Sequence, residues 1–167
     1  MPAVDCTLRD FDWRDVPALT SIYRHYVETS VATFDLEAPG ETFMAEKFGH
    51  MIDIGHPVVI AERAGQVAGY AYASVYRTRP AYRFTCEDTV YLAPDAVGRG
   101  IGSALLGETI ARSQRFGFRQ MLAVISEGGD ASVRLHEKHG FSVIGRYPGL
   151  GFKFDRWIGV LHMQRGL

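Results

Sequence analysis

Cysteine is scarce in this chain. Cys6 and Cys86 are the only two in 167 residues, both lie in apolar or strand-like contexts, and neither has metal-ligand spacing. That excludes a disulfide scaffold and a thiolate metal cluster, and it suits two reduced thiols in the cytoplasm. Charge of one sign is lacking as well. Eighteen Lys and Arg against 19 Asp and Glu leave a net charge of −1, with the two signs interspersed. A nucleic-acid binder would show a basic stripe, and none is present. No apolar run approaches the roughly 18 residues that a membrane span needs. The N-terminal MPAVDCTLRDFDWRD has no charged region followed by an apolar one, so no signal peptide is read. Repeats, low-complexity tracts and linker-like stretches are absent too. The expectation is a single domain over 1–167, with no membrane or nucleic-acid partner. A hydrophobic share of 47% is enough for a real core.

Thr7-Leu8-Arg9 reads as a first strand. Asp10 and Asp12 offer caps to a helix over about 14–28, whose Val16, Leu19, Ile22, Tyr23 and Tyr26 fall at helical spacing. Thr42 reads as the cap of a second helix with Met44, Phe48, Met51 and Ile52 on its apolar face. The β-branched run VVIAER, the turn Ala64-Gly65-Gln66 and VAGYAYASVY read as a hairpin. An arginine-rich loop, RTRPAYR, then leads to the strand FTCEDTVYL. A helix over about 102–115 stops near Gly117, and RQMLAVI is the next strand. Asp130 reads as the cap of the short helix ASVRLHEKH, which ends at Gly140, and FSVIGRY and DRWIGVLHM close the sheet. The order β-α-α-β-β-β-α-β-α-β-β predicts a mixed α/β fold, α+β in character, with a largely antiparallel sheet flanked by helices. Parallel neighbours are expected where a helix intervenes.

Between strand and helix, Gly98, Gly100 and Gly102 alternate with Arg99 and Ile101. A helix start leaves about four backbone N–H groups unpaired and carries partial positive charge. Glycines there let an anion approach the backbone, so the loop is shaped for phosphate. A Walker A loop needs Gly-Lys-Ser/Thr, and Gly102-Ser103-Ala104 has no lysine. A dinucleotide fingerprint needs a tight G-x-G-x-x-G turn, and the intervening APDAV makes this one too long.

The strand, the Pro-Asp turn, the glycine loop, the next strand and SVRLHEKHGF (132–141) together resemble the GCN5-related N-acetyltransferases. That family's Gln/Arg-x-x-Gly-x-Gly/Ala signature is met from Gly98 to Gly102, with Val97 in place of the first Gln or Arg. IYRHYVETSVATFD, AYRFTCEDTVYL, SVRLHEKHGF and GFKFDRWIGVLHMQR are similar to the phosphinothricin and methionine sulfone/sulfoximine branch. The resemblance implies acetyl-CoA as co-substrate, a small amino-acid-like amine as acceptor, and a homodimer; no metal is expected, because no third ligand joins His136 and His139. It implies splayed parallel strands over 85–92 and 119–125. Backbone groups of Val90, Tyr91 and Leu92 would meet the pantetheine arm, and Gly98, Arg99, Gly100, Ile101, Gly102 and Ser103 the diphosphate. Gly129 stands where the family often has an asparagine that contacts the coenzyme, and Gly159 where the branch often has an aspartate.

Transfer from a thioester requires a neutral amine, a donor for the developing oxyanion and a proton for the departing thiolate. Glu87 is the candidate base, and the resemblance also places it at the substrate. Asp88, one residue on, faces the opposite side and is the weaker candidate. His136 stands where the family often has a thiolate-protonating tyrosine, and a histidine donates near neutral pH. His139, three residues later, raises a metal pair, but no third ligand is visible. Arg77, Arg79 and Arg83 carry forks suited to an acceptor's oxyanions, and Phe34 is a candidate pocket wall. Trp157 is read as packing and dimer contact. The alternatives are acetylation of a protein N-terminus or lysine, which needs an open groove, and an acyl-CoA-binding protein without chemistry.

Overall fold

The element order read from periodicity is the order found. In the computed structural model, which describes residues 5–167, β1 (Thr7–Arg9) leads through one 3-10 turn into α1 (Val16–Thr29) and α2 (Glu41–Asp53). There follow β2 (Val58–Arg63), β3 (Gln66–Val75), β4 (Thr85–Leu92), α3 (Ile101–Phe116), β5 (Gln120–Ser126) and α4 (Asp130–Lys138). The hairpin β6 (Ser142–Lys153) and β7 (Arg156–Gly166) completes the chain. The reading of the N-terminus as free of a signal peptide falls partly on residues 1–4, outside the described residues.

The seven strands form one sheet in the order β1-β2-β3-β4-β5-β7-β6. Its pairs are antiparallel except β4 with β5. That parallel pair follows from α3, because a crossover helix returns the chain in the same direction.

The two faces are sorted by side-chain size. On one face of β3, Tyr70 and Tyr72 meet Leu19, Ile22, Met44 and Phe48 of α1 and α2. On the other, Ala71 and Ala73 let Leu105 and Leu106 of α3 lie close to the strand. Each fully buried Leu, Phe or Met contributes about 1.5–3 kcal/mol of transfer free energy. Gly117 (φ +109°) and Gly140 (φ +80°) end their helices in the left-handed region, as their positions predicted.

Three local readings are corrected. Thr42 lies inside the first turn of α2, and Gly40 holds the cap position with no side-chain bond. Gly129 likewise precedes α4, with Asp130 as its first residue. Ile52 is 44% exposed, because the buried stripe of α2 runs through Met44, Phe48 and Met51.

Arg9 ties the first strand to the first helix. Its guanidinium grips both oxygens of the buried Asp15 at 2.8 Å, while its Nε donates to Glu62 on β2 at 2.8 Å. Burial pushes the Asp15 carboxyl up, but the Arg9 fork and the Asp12 amide outweigh it and leave the carboxyl below its usual value. A depressed carboxylate stabilises the fold above its unfolded value, and that contribution fades as pH falls through the folded value. Asp15→Asn is expected to cost about 1–3 kcal/mol in urea unfolding at pH 7. The gap from the parent protein should close as the pH is lowered.

Candidate active site

β4 and β5 pair only at their first three residues, ending at Glu87↔Leu122. Beyond that pair β4 stays bound to β3, and β5 stays bound to β7 as far as Ser126, so the two parallel strands diverge. The facing edges are left without a ladder. The Phe84 carbonyl accepts from Arg119 and Gln120 on the β5 side, while the Thr85 carbonyl accepts from Tyr76 on the β3 side. Backbone polar groups alternate sides along a strand, so the amides of Val90 and Leu92 point into the opening. The Leu92 carbonyl is already taken by the Tyr26 hydroxyl at 2.8 Å. The Tyr91 side chain turns away, into a cluster with Tyr23, Tyr26 and Tyr70 on the α1/α2 face.

The glycine loop closes the wide end. Gly98 and Gly100 both sit at φ +79°, which L side chains rarely adopt. Gly100 precedes α3 with no side-chain cap. The first helical bonds run from Ser103 and Ala104 to the Gly100 carbonyl, so the amides of Ile101 and Gly102 lie ahead of them. The Ile101 side chain is core, packed with Leu105. Arg99 is tied to the Asp95 carbonyl at 3.0 Å, and Val97 is solvent-facing. Gly129 stands where a Cβ would come within 2.9 Å of the Ser126 carbonyl and 2.7 Å of Ile125, so an asparagine would require the loop to shift. A Cβ on Gly159 would lie 3.2 Å from Glu127, whose carboxylate accepts the Gly159 amide hydrogen at 3.0 Å.

Where the strands part, alternation sends two carboxylates to opposite faces. Glu87 is half-buried on the α1/α2 side, beside Ser74 of β3. Burial first, and then the charge of Asp88, raise its pKa above the ordinary value. Asp88 is buried on the α3/α4 side, where its Oδ2 lies 3.0 Å from His136 Nε2. His136 is therefore an interior residue and not a surface one, and its Nδ1 donates to the Ser132 carbonyl at 2.7 Å. His139 turns elsewhere, with Nε2 2.9 Å from Ser103 Oγ, so the two histidines do not converge.

The arginines divide. Arg77 and Arg79, with Thr78 and Tyr82, line an open recess of about 540 Å³. Arg83 lies over the Phe84 ring and donates to the Pro80 carbonyl. Phe34 is 38% exposed, and its ring lies directly on Gly151 of β6. Its loop is fastened by the buried Lys153, which donates to the Ser30 and Thr33 carbonyls at 2.8 and 2.9 Å. Trp157 is 67% exposed on the β6–β7 hairpin.

Two contributors escaped the sequence reading. One is the Asp88–His136 bond, between residues 48 positions apart. The other is His162, which pairs with Val124 and so faces the same side as Glu87. Its ring lies 4.7 Å from that of Tyr147, and burial followed by the Arg77 charge keeps its pKa below the usual value. Strand alternation counted across β5 would have found it.

A diverging parallel pair, with free amides along it and an uncapped helix start at its mouth, has the donors to take an extended, amide-bearing ligand that ends in a diphosphate. The "Acetyltransferase (GNAT) family" model matches residues 19–141. The chain belongs to that family. It is 46% identical to a phosphinothricin N-acetyltransferase from Alcaligenes faecalis over 97% of this chain and 83% of the other. It is 35% identical to an L-methionine sulfoximine/L-methionine sulfone acetyltransferase from Salmonella typhimurium over 95% and 92%. Its fold superposes with TM-score 0.95 on a crystal structure of a GNAT phosphinothricin acetyltransferase from Sinorhizobium meliloti in complex with acetyl-CoA. The identity there is 45%, over 98% of this chain and 89% of that one.

Gly98→Ala and Gly100→Ala each force a side chain into the left-handed region, at a cost of about 1–2 kcal/mol. If the loop conformation holds the diphosphate, calorimetric titration with coenzyme A should show the dissociation constant rising about tenfold for each variant.

Proposed function

We propose that this protein transfers the acetyl group of acetyl-CoA to the amine of a small amino-acid-like acceptor of the phosphinothricin, methionine sulfone or methionine sulfoximine type. The observation that carries the reading is the pairing of an open strand edge with a carboxylate at the point where the edge begins. Bound coenzyme supplies the activated acetyl group as a thioester. The amides of Val90 and Leu92 serve the pantetheine arm, and those of Gly98 through Ser103 serve the diphosphate. Apart from Ser103, whose amide bonds to the Gly100 carbonyl, these donors are left without a backbone partner among the described residues, and such sets suit amide and phosphate acceptors.

Glu87 takes the proton from the acceptor's ammonium, directly or through water. Burial, and after it the charge of Asp88, raises its pKa and so brings it nearer to the working range of a general base. Arg77 and Arg79 hold the acceptor's carboxylate or headgroup oxygens in their recess, with Arg83 braced beside them, and Phe34 walls the pocket. His136 delivers the proton that the thiolate takes up. The protein works in the cytoplasm, in keeping with its two free cysteines. It pairs as a homodimer through the exposed apolar hairpin that carries Leu150, Phe152, Phe154 and Trp157. Sedimentation velocity is expected to give twice the 18.6 kDa chain mass.

The direct test is thiol release with acetyl-CoA against a panel of free amino acids, the three named acceptor types and short peptides. Turnover should be fastest with the named types, and absence of turnover with all of them would defeat the reading. Glu87→Gln should lower kcat by about 10²–10⁴-fold. The acid limb of the parent pH profile should lie above the ordinary carboxylate range, because activity needs Glu87 ionised.

A further inference from the structure

Asp88 and His136 form a buried pair with an uncommitted oxygen. Their side chains are 2% and 5% exposed. The Ser132 carbonyl only accepts, so His136 Nδ1 carries a hydrogen. The 3.0 Å contact between Nε2 and Asp88 Oδ2 therefore needs a second proton. That proton sits on the imidazole beside a carboxylate, or on the carboxyl beside a neutral imidazole. Either way the pair stores one proton more than a neutral histidine next to an ionised aspartate. Asp88 Oδ1 is buried too, and it has no hydrogen-bond partner among the described residues. It belongs to the residue that follows the last β4–β5 pair, where the opening starts.

Little else in the surroundings competes for that proton. Glu87 neighbours Asp88 on the other face of β4. The Cys86 thiol, on the same face, is pushed up to about 12, chiefly by burial and then by Asp88, and stays neutral. On α4 the titratable neighbours are Glu137, Lys138 and His139, with His139 turned to Ser103. On this face α3 presents Leu106 and Ile110, and β5 presents Met121 and Ala123. The Phe141 ring stands edge-on to His136 at 4.9 Å. Burial alone would discharge the imidazole. Its depressing effect is outweighed by the Asp88 hydrogen bond and charge and by the Ser132 carbonyl, so the pKa of His136 lies above its ordinary value.

We propose that Asp88 is the positioning residue of the acid half of the reaction, holding His136 charged beside the point where the β4–β5 opening starts. This rests on the reading of His136 as the thiolate's proton source. As the carbon–sulfur bond breaks, sulfur keeps the electron pair. The Nε2–H bond then breaks and an S–H bond forms. The imidazole is left neutral, with Nδ1–H still on Ser132, and Asp88 is left ionised. The pair regains one proton from solvent, matching the one that Glu87 passes out from the amine. No oxidant, reductant or further reactant is needed.

The deciding measurement is the imidazole titration of His136 by NMR, on the full chain without substrate. It is expected above the ordinary histidine range in the parent protein, and lower by about one unit or more in Asp88→Asn. Asp88→Ser, smaller and also neutral, should give the same shift. The alkaline limb of kcat should move down with the titration in both variants, while the KM for acetyl-CoA changes little. A structural role alone would lower the melting temperature and leave that limb in place. A His136 titration below the ordinary range in the parent, or a titration that moves without the limb, would overturn the proposal. Lack of turnover with every acceptor would instead count against the proposed function, and the NMR titration would still decide the state of the pair.

Discussion

After Glu87 and Leu122, two neighbouring parallel strands stop exchanging hydrogen bonds while each keeps its outer partner. Backbone amides inside a protein are costly to leave unpaired, so an interruption of this kind persists only where solvent or a ligand serves them. Much of the structure maintains the gap. β3 holds β4 along its length, and β7 holds β5. The alanines of β3 let α3 sit close, which puts the start of that helix at the mouth of the opening. Gly98 and Gly100 turn the chain into α3 without side chains over the amides.

In the proposed reaction the gap also separates the two halves of acid–base chemistry. Because side chains alternate along β4, adjacent carboxylates at 87 and 88 reach opposite faces of the sheet. Glu87 meets the α1/α2 face, the side on which His162 also lies. Asp88 meets α4 and is bonded to His136. One carboxylate, partly desolvated and unpaired with a cation, is suited to accept a proton. The other, bonded to an imidazole, helps to retain one. Burial, and after it the charge of Asp88, raises the pKa of the first. Two identical functional groups one residue apart thus acquire different surroundings from strand geometry alone.

Local patterns carried most of the architecture. The apolar spacing of Val16, Leu19 and Ile22, the hairpin over 58–75 and the stops at Gly117 and Gly140 are each decided within a few residues, and each was legible. The end of β6 was not. PGLGFK, with Pro148 and two glycines, lies beyond the strand read as FSVIGRY, yet β6 pairs with β7 as far as Lys153↔Arg156 across two irregularities. The caps at Thr42 and Asp130 were misplaced by a residue or two, because glycine served where a side-chain oxygen was expected. The placement of Glu87 at the last β4–β5 pair and of the glycine loop before α3 was legible because strands and helix starts announce themselves locally. The Asp88–His136 bond and the reach of Lys153 to the Ser30 and Thr33 carbonyls join distant parts of the chain, and no local period encodes them.

The central claim is that the unpaired amides along β4 and at the start of α3 receive the coenzyme. Amide hydrogen exchange of the full chain, with and without acetyl-CoA, tests it most directly. The account predicts slowed exchange at Val90, Leu92 and Gly98 through Gly102, with the β6–β7 hairpin amides unchanged. Exchange at those positions that stays as fast with acetyl-CoA as without it, or protection gathered elsewhere on the protein, would contradict it.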